Sequence, residues 1–177
     1  DRIPVESTIV GNPYDERVFL PRSEIPRDLE LVYLGRLVSD KGVDTLIHAL
    51  LQLKRWNLSP RLTVIGSGSE ERALRQLART LRVEDQIDFA GARQPKEIAL
   101  LLNAHKILVV PSRMPEPFGI VVLVAVASGC VIVASRAGGL PDAVGKCGLT
   151  YEIGDLQALT NALRLVLTQP ELRAELL

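Results

Sequence analysis

Cysteine, histidine and methionine are scarce in this chain, and each scarcity closes off a class of chemistry. Its two cysteines, Cys130 and Cys147, stand in apolar or glycine-rich contexts without metal-ligand spacing. They read as a reduced pair of thiols in a cytoplasmic protein, not as a disulfide framework. The two histidines, His48 and His105, lie far apart, each on an expected helix, so no metal site is expected. The only methionine is Met114, and the chain opens on Asp1, which reads as a piece of a longer protein. Net charge is missing too: 21 Lys and Arg balance 21 Asp and Glu, and no global field draws the molecule to nucleic acid or acidic lipid. The longest charge-free run, residues 118–135, falls short of the ~20 apolar residues of a spanning helix and is broken at Ser128-Gly129. Neither a signal peptide nor a short-period repeat is visible. A transmembrane segment is therefore not expected, which leaves peripheral membrane contact of a longer protein open.

What remains is ample for one core: 177 residues, 47% of them hydrophobic. Residues 1–28 read as a connecting segment with a short strand at Ser7-Thr8-Ile9-Val10, then a Gly-Asn-Pro turn and a Pro- and charge-rich surface stretch. Residues 29–177 alternate apolar strands with amphipathic helices. Strands are expected over 29–34, 61–65, 86–90, 106–110, 131–135 and 148–151, with helices at about 43–54, 70–81, 95–104, 156–167 and 171–177. Asp155 is placed to cap the helix that starts at Leu156, and Pro95 suits a first helical position. Short glycine-rich turns between such elements imply an α/β fold: a Rossmann-like, doubly wound parallel sheet of about six strands with helices on both faces.

One segment resists its own composition. Ile120-Val121-Val122-Leu123-Val124-Ala125-Val126 is β-branched enough for a strand. Yet Ser128-Gly129 makes a helix stop, and a better strand follows at Val131. Two parallel strands cannot share so short a joint. A buried helix over 119–127 is the expectation.

Just before it, Pro111-Ser112-Arg113-Met114-Pro115-Glu116-Pro117-Phe118-Gly119 brackets a lone carboxylate between prolines after an apolar strand. This places Glu116 and the free N–H groups of a helix start at the C-terminal end of a strand, where open α/β sheets bind ligands. Such a mouth favours an anion or a hydroxyl-rich group. In the loop after the first sheet strand, Arg36 and Lys41 stand five residues apart on glycines, a spacing that can clamp a diphosphate, although such residues in a surface loop are more often simply solvated. Gly66-Ser67-Gly68 lies between strand and helix but lacks the third glycine of a dinucleotide fingerprint. It reads as a structural turn or as a nucleotide cradle.

These pieces together resemble the donor-binding, C-terminal half of retaining, GT-B-fold glycosyltransferases of the glycogen-synthase-like superfamily. The likeness runs from about Asn12 to Leu177. It implies an enzyme that transfers a hexose from a nucleoside-diphosphate sugar to an acceptor, without a metal or a cofactor. It gives Arg36 and Lys41 the donor-phosphate contacts, and Glu116, with those two cations, the catalytic role. It assigns donor contacts to Gly66 and Gly91, and to the backbone at Phe118, Gly119 and Ile120. Arg93 is either near the nucleobase or a free surface residue. Gly138-Gly139 resembles the glycine turn on the family's cleft floor. Acceptor binding is implied to come from an N-terminal domain, absent from this chain, so the chain alone is expected to bind donor without turning it over.

The sequence departs from the pattern once. The family's signature has two glutamates separated by seven residues, and the second place falls on Val124. That glutamate accepts hydrogen bonds from the donor ribose, which valine cannot do. Another residue serves the ribose, or the chain is a degenerate, non-catalytic relative acting as a scaffold, or the valine is a sequence error or engineered. A third function, an ordinary dinucleotide-dependent oxidoreductase, rests on the Gly66 loop alone.

Overall fold

The computed structural model describes residues 14–177. The expected strand over Ser7–Val10 and most of the turn after it lie outside the described residues. Residues 14–28 contain no helix or strand and run over the surface of the domain. Among the described residues, six strands and seven helices then succeed one another. In chain order they are β1 (Leu29–Leu34), α1 (Val43–Arg55), β2 (Leu62–Ile65), α2 (Glu71–Thr80), β3 (Ile87–Gly91), α3 (Pro95–Ala104) and β4 (His105–Val110). After them come α4 (Ile120–Ala127), β5 (Val131–Ser135), α5 (Leu140–Val144), β6 (Gly148–Tyr151), α6 (Leu156–Thr168) and α7 (Pro170–Glu175). Two short 3₁₀ turns, Ser39–Lys41 and Glu84–Gln86, were not expected from the sequence.

All strand pairs are parallel, in the order β3-β2-β1-β4-β5-β6. The chain therefore winds outward from β1 to β3, crosses back to lay β4 beside β1, and winds the other way. Between β1 and β4 the direction of winding reverses, and the crevice outside the carboxyl ends of those two strands is where such sheets bind ligands.

The near-continuous apolar strands follow from burial on both faces. Leu31, Tyr33, Ile107, Val109, Val131 and Val133 point to a layer with α1, α2 and α6. Val32, Leu108, Val110, Ile132 and Ala134 point the other way, to a layer with α3, α4 and α5. Side chains alternate along a strand, so adjacent residues feed opposite cores. Burying one valine or leucine in either layer is worth about 1.5–3 kcal/mol.

Residues 120–127 are helical despite their valines. Gly119, at φ +82°, starts α4, and Gly129, at φ +83°, follows its end. The Ser128 hydroxyl donates to the Val124 carbonyl at 2.8 Å, tying off the last turn. The joint leaves the chain no other way to enter β5 parallel to β4. His105 differs from its expected helical place: it opens β4. Its Nδ1 lies 2.6 Å from the Leu101 carbonyl oxygen and its Nε2 lies 2.8 Å from the Thr63 hydroxyl. The side chain thus bonds back to α3 while the backbone has already turned extended.

The surface segment is fastened at the end of the sheet opposite the crevice. Buried Asn103 accepts from the Arg22 N–H at 2.7 Å and donates to the Leu20 carbonyl at 3.0 Å. The Arg27 guanidinium donates to the carbonyls of Leu102 (3.1 Å), Ser128 (2.6 Å) and His105. One cation so satisfies carbonyls left open at the C-termini of both α3 and α4.

Candidate functional site

The crevice between β1 and β4 is a cavity of about 340 Å³, lined among others by Tyr33, Arg36, Lys41, Ser112, Glu116, Phe118, Gly119 and Ile120. Each wall has a local cause. β1 ends at Leu34, and the backbone leaves the sheet at Gly35, where a Cβ would come within 2.8 Å of the Tyr33 hydroxyl. That hydroxyl donates to the Arg36 carbonyl at 2.8 Å, which fixes the loop and leaves the Arg36 side chain exposed toward the cavity. Burial, and secondly the nearby Glu116 charge, push the Tyr33 phenol far above its ordinary value, so it acts only as a neutral donor.

The opposite wall is the 111–119 loop. The Glu116 backbone forms a parallel bridge with Gly138. Its N–H donates to the Ala137 carbonyl at 3.3 Å, and its own carbonyl accepts from the Gly139 N–H at 2.8 Å. Gly138 has φ +61°, and a Cβ there would overlap the Glu116 backbone, so the close approach requires glycine. The Glu116 carboxylate then faces Lys41, whose ammonium donates to Oε1. The Ser112 hydroxyl donates to the same oxygen at 2.6 Å. Behind it, the Ser135 hydroxyl holds the Ser112 carbonyl at 2.6 Å. Burial alone would raise the Glu116 pKa. The two hydrogen bonds, with the charges of Lys41 and Arg36, overcome that and hold the carboxyl below its ordinary value.

Above the carboxylate, α4 presents its N-terminus. The first amides of a helix have no intrahelical partner and carry its positive end. Two cations, one carboxylate and a helix mouth thus converge on one cavity, a set suited to a phosphate joined to a hydroxyl-rich group.

Of the residues read from the sequence, Arg36, Lys41, Glu116, Phe118, Gly119 and Ile120 line this cavity together. Gly66, Gly91 and Val124 are not among its lining. Gly66, at φ +136°, lets the end of β2 pass against the Gly35 carbonyl, which a Cβ would overlap, and its N–H donates to the Gly91 carbonyl at 2.9 Å. The turn it opens supports the Arg36 loop from behind: the Leu37 N–H donates to the Ser67 carbonyl at 2.9 Å. Val124 is 6% exposed and packs in the apolar layer with Val32, Leu108 and Ile132. Arg93 is exposed and is not part of the cavity lining. Ser112 and Tyr33 were missed from the sequence. Ser112 had one signal, its place four residues before Glu116 in the same loop; Tyr33 had none.

Comparison with known proteins gives the arrangement its class. A sucrose-phosphate synthase from Thermosynechococcus elongatus superposes with a TM-score of 0.82 at 29% identity, over 92% of this chain and 44% of that one. The Anabaena protein HepE, solved in complex with UDP and glucose, superposes with a TM-score of 0.81 at 25% identity, over 93% of this chain and 48% of that one. Fold and cleft together are those of a GT-B glycosyltransferase.

The chain belongs to the glycosyl transferases group 1 family, whose model matches residues 18–176. It is 37% identical to the glycogen synthase of Mycobacterium tuberculosis H37Rv over 169 residues, covering 93% of this chain and 41% of that protein. It is also 37% identical to a D-inositol 3-phosphate glycosyltransferase of Corynebacterium aurimucosum over 152 residues, covering 81% of this chain and 36% of that protein. The chain therefore spans well under half the length of these relatives. Among the described residues no helix is long and apolar enough to cross a membrane.

Proposed function

We propose that this chain is the donor-binding domain of a retaining glycosyltransferase that moves a hexose from a nucleoside-diphosphate sugar to an acceptor, independently of a metal. The observation that carries the proposal is the convergence of Arg36, Lys41 and Glu116 at the mouth of α4, at the point where the sheet reverses its winding. HepE, similar over nearly all of this chain, was solved with UDP and glucose, which supports a nucleotide-sugar ligand.

Transfer breaks the bond between the anomeric carbon and the diphosphate, and negative charge grows on the departing phosphate oxygens. Fixed positive charge placed there lowers the barrier, because it is stronger toward the transition state than toward the intact donor. Arg36 and Lys41 are the groups in place for that. The Glu116 carboxylate, held ionised and aimed by Ser112 and Lys41, would accept hydrogen bonds from donor-sugar hydroxyls. Acceptor binding falls to a second domain of the whole protein, facing the cleft, where the cavity residue Ile120 is 48% exposed. This chain by itself is expected to bind donor without turning it over. The free thiols of Cys130 and Cys147 support a cytoplasmic setting.

Thermal shift and calorimetry with UDP, GDP and ADP test the reading. At least one should raise the melting temperature, and Arg36→Ala should abolish that rise. Absence of any shift at millimolar nucleotide overturns the donor site.

A second reading, a non-catalytic scaffold, is favoured by Val124. Among the described residues lining the cavity Glu116 is the only carboxylate.

A further inference from the structure

Arg113 stands in the proline-flanked loop between β4 and α4, yet its side chain turns away from the cavity. Its guanidinium donates to the Asp44 carboxylate at 2.5 Å, to the Thr45 hydroxyl at 2.8 Å and to the Ser39 carbonyl at 3.4 Å. Its backbone N–H donates to the Asp40 carbonyl at 2.7 Å. These four partners flank Lys41 on both sides in sequence, while Lys41 itself reaches Glu116. Gly42, at φ +66°, completes the seam: a Cβ there would overlap the Pro111 carbonyl oxygen. The loop after β1 and the loop after β4 are thereby locked to each other next to the cavity.

Ion pairs on a surface contribute little by Coulomb attraction. Here the geometry matters more. A guanidinium carries several donors in one rigid plane and can hold a carboxylate, a hydroxyl and a carbonyl at once, which an ammonium on a flexible stem does poorly. What this fixes is the separation of Lys41 from Glu116, three residues beyond Arg113 in the same loop. Electrostatic stabilisation of a bound phosphate depends on such groups being placed before the ligand arrives.

Resting on the donor-site reading, we propose that Arg113 is a positioning residue. It presets the Lys41 ammonium for a donor phosphate while touching no ligand itself.

The test is calorimetric titration of UDP, GDP and ADP into the wild-type chain and the variants Arg113→Ala, Arg113→Lys, Lys41→Ala and the Arg113→Ala/Lys41→Ala pair. Urea unfolding of each reports fold stability separately. The wild-type chain binds at least one nucleotide. Arg113→Ala is expected to weaken it about tenfold, on the scale of one hydrogen bond to a charged group, and Arg113→Lys to weaken it less. In the Lys41→Ala background the same change should have no further effect, since its effect is transmitted through Lys41. Asp44→Asn, which weakens the latch from the other side, reproduces the Arg113→Ala loss and guards against misfolding of that variant. Wild-type binding with equal binding by Arg113→Ala overturns the positioning role alone. An equal loss in the Lys41→Ala background overturns it too, by showing that Arg113 does not act through Lys41. If the wild-type chain binds none of the three nucleotides, the donor reading falls, and the positioning role falls with it.

Discussion

Lys41 and Glu116, 75 residues apart in sequence, form an ion pair across the mouth of the cavity, with side chains 22% and 18% exposed. Each therefore has a partner before any ligand arrives. A donor that engages the ammonium with its phosphate and the carboxylate with its sugar hydroxyls replaces one partner set by another without leaving either charge bare. A bare charge in so enclosed a place would be costly.

Lys41→Ala should consequently be felt twice. On the donor-site reading, nucleotide binding should weaken roughly ten- to 150-fold in calorimetry and stay measurable, because Arg36 still holds the phosphate when Lys41 is gone. The free protein should also lose about 1–2 kcal/mol in urea unfolding at neutral pH, the worth of a charge-assisted hydrogen bond reduced by partial solvent screening.

Acid should lower the protein's stability through two groups in turn, His105 and then Glu116. Burial, opposed by the hydrogen bond to Leu101 and by nearby carboxylates, holds His105 below its ordinary 6.5. The native state then binds fewer protons than the unfolded chain, so stability is full above 6.5 and declines as pH falls from there through the folded value. Glu116 is held below its ordinary 4.5, and its contribution is full above that value and is lost as pH falls through the lower folded one. Urea unfolding across the acid range should show His105→Gln without the first decline and Glu116→Gln with a shallower second one. His48 is the only other histidine, so an NMR titration of the imidazoles assigns the first decline directly.

Gly138→Ala should damage the site through the backbone alone. A non-glycine residue at φ +61° costs roughly 1–2 kcal/mol, and the new Cβ would overlap Glu116 as well. The expected result is a lower melting temperature together with weaker nucleotide binding. Gly154→Ala, also at positive φ but with nothing within 4 Å of its Cβ, should lower the melting temperature without touching affinity.

The sheet was legible because doubly buried strands announce themselves: β1, β4 and β5 begin within one residue of their expected starts. α4 was legible for a different reason. Its valines argue for a strand, and only the glycine stop and the parallel strand behind it force a helix, so connectivity overrode propensity. The site was legible in its parts. Arg36, Lys41 and Glu116 were grouped by family resemblance, since no spacing rule joins a lysine to a glutamate 75 residues on. Arg113 acts through a tertiary contact to a helix start, while Ser112 and Tyr33 bond only four and three residues along the chain, to a carboxylate and a loop carbonyl whose positions depend on the shape of the loop. A periodicity or a motif does not encode such contacts. Arg27, in a stretch that reads as mere surface connection, is a further case: its partners lie 75 to 103 residues away.

Val124 separates the two readings of function, and Val124→Glu tests them. The side chain is buried in the apolar layer one helical turn after Ile120, whose side of α4 lines the cavity. A glutamate placed there without ligand must either bury a charge or protonate, so the free variant should be less stable by about 3 kcal/mol. If the position faces the donor ribose, the new carboxylate gains a hydrogen bond of about 1.5–3 kcal/mol, and UDP should bind roughly ten- to 150-fold more tightly. Nucleotide should then also recover part of the lost stability, because a ligand that binds only the native state stabilises it in proportion to its affinity. Tighter binding would mark this chain as a donor domain that lacks one ribose contact. Lower stability with unchanged affinity would mean that position 124 belongs to the core alone, and the loss of the second glutamate would then say nothing about whether the protein is active.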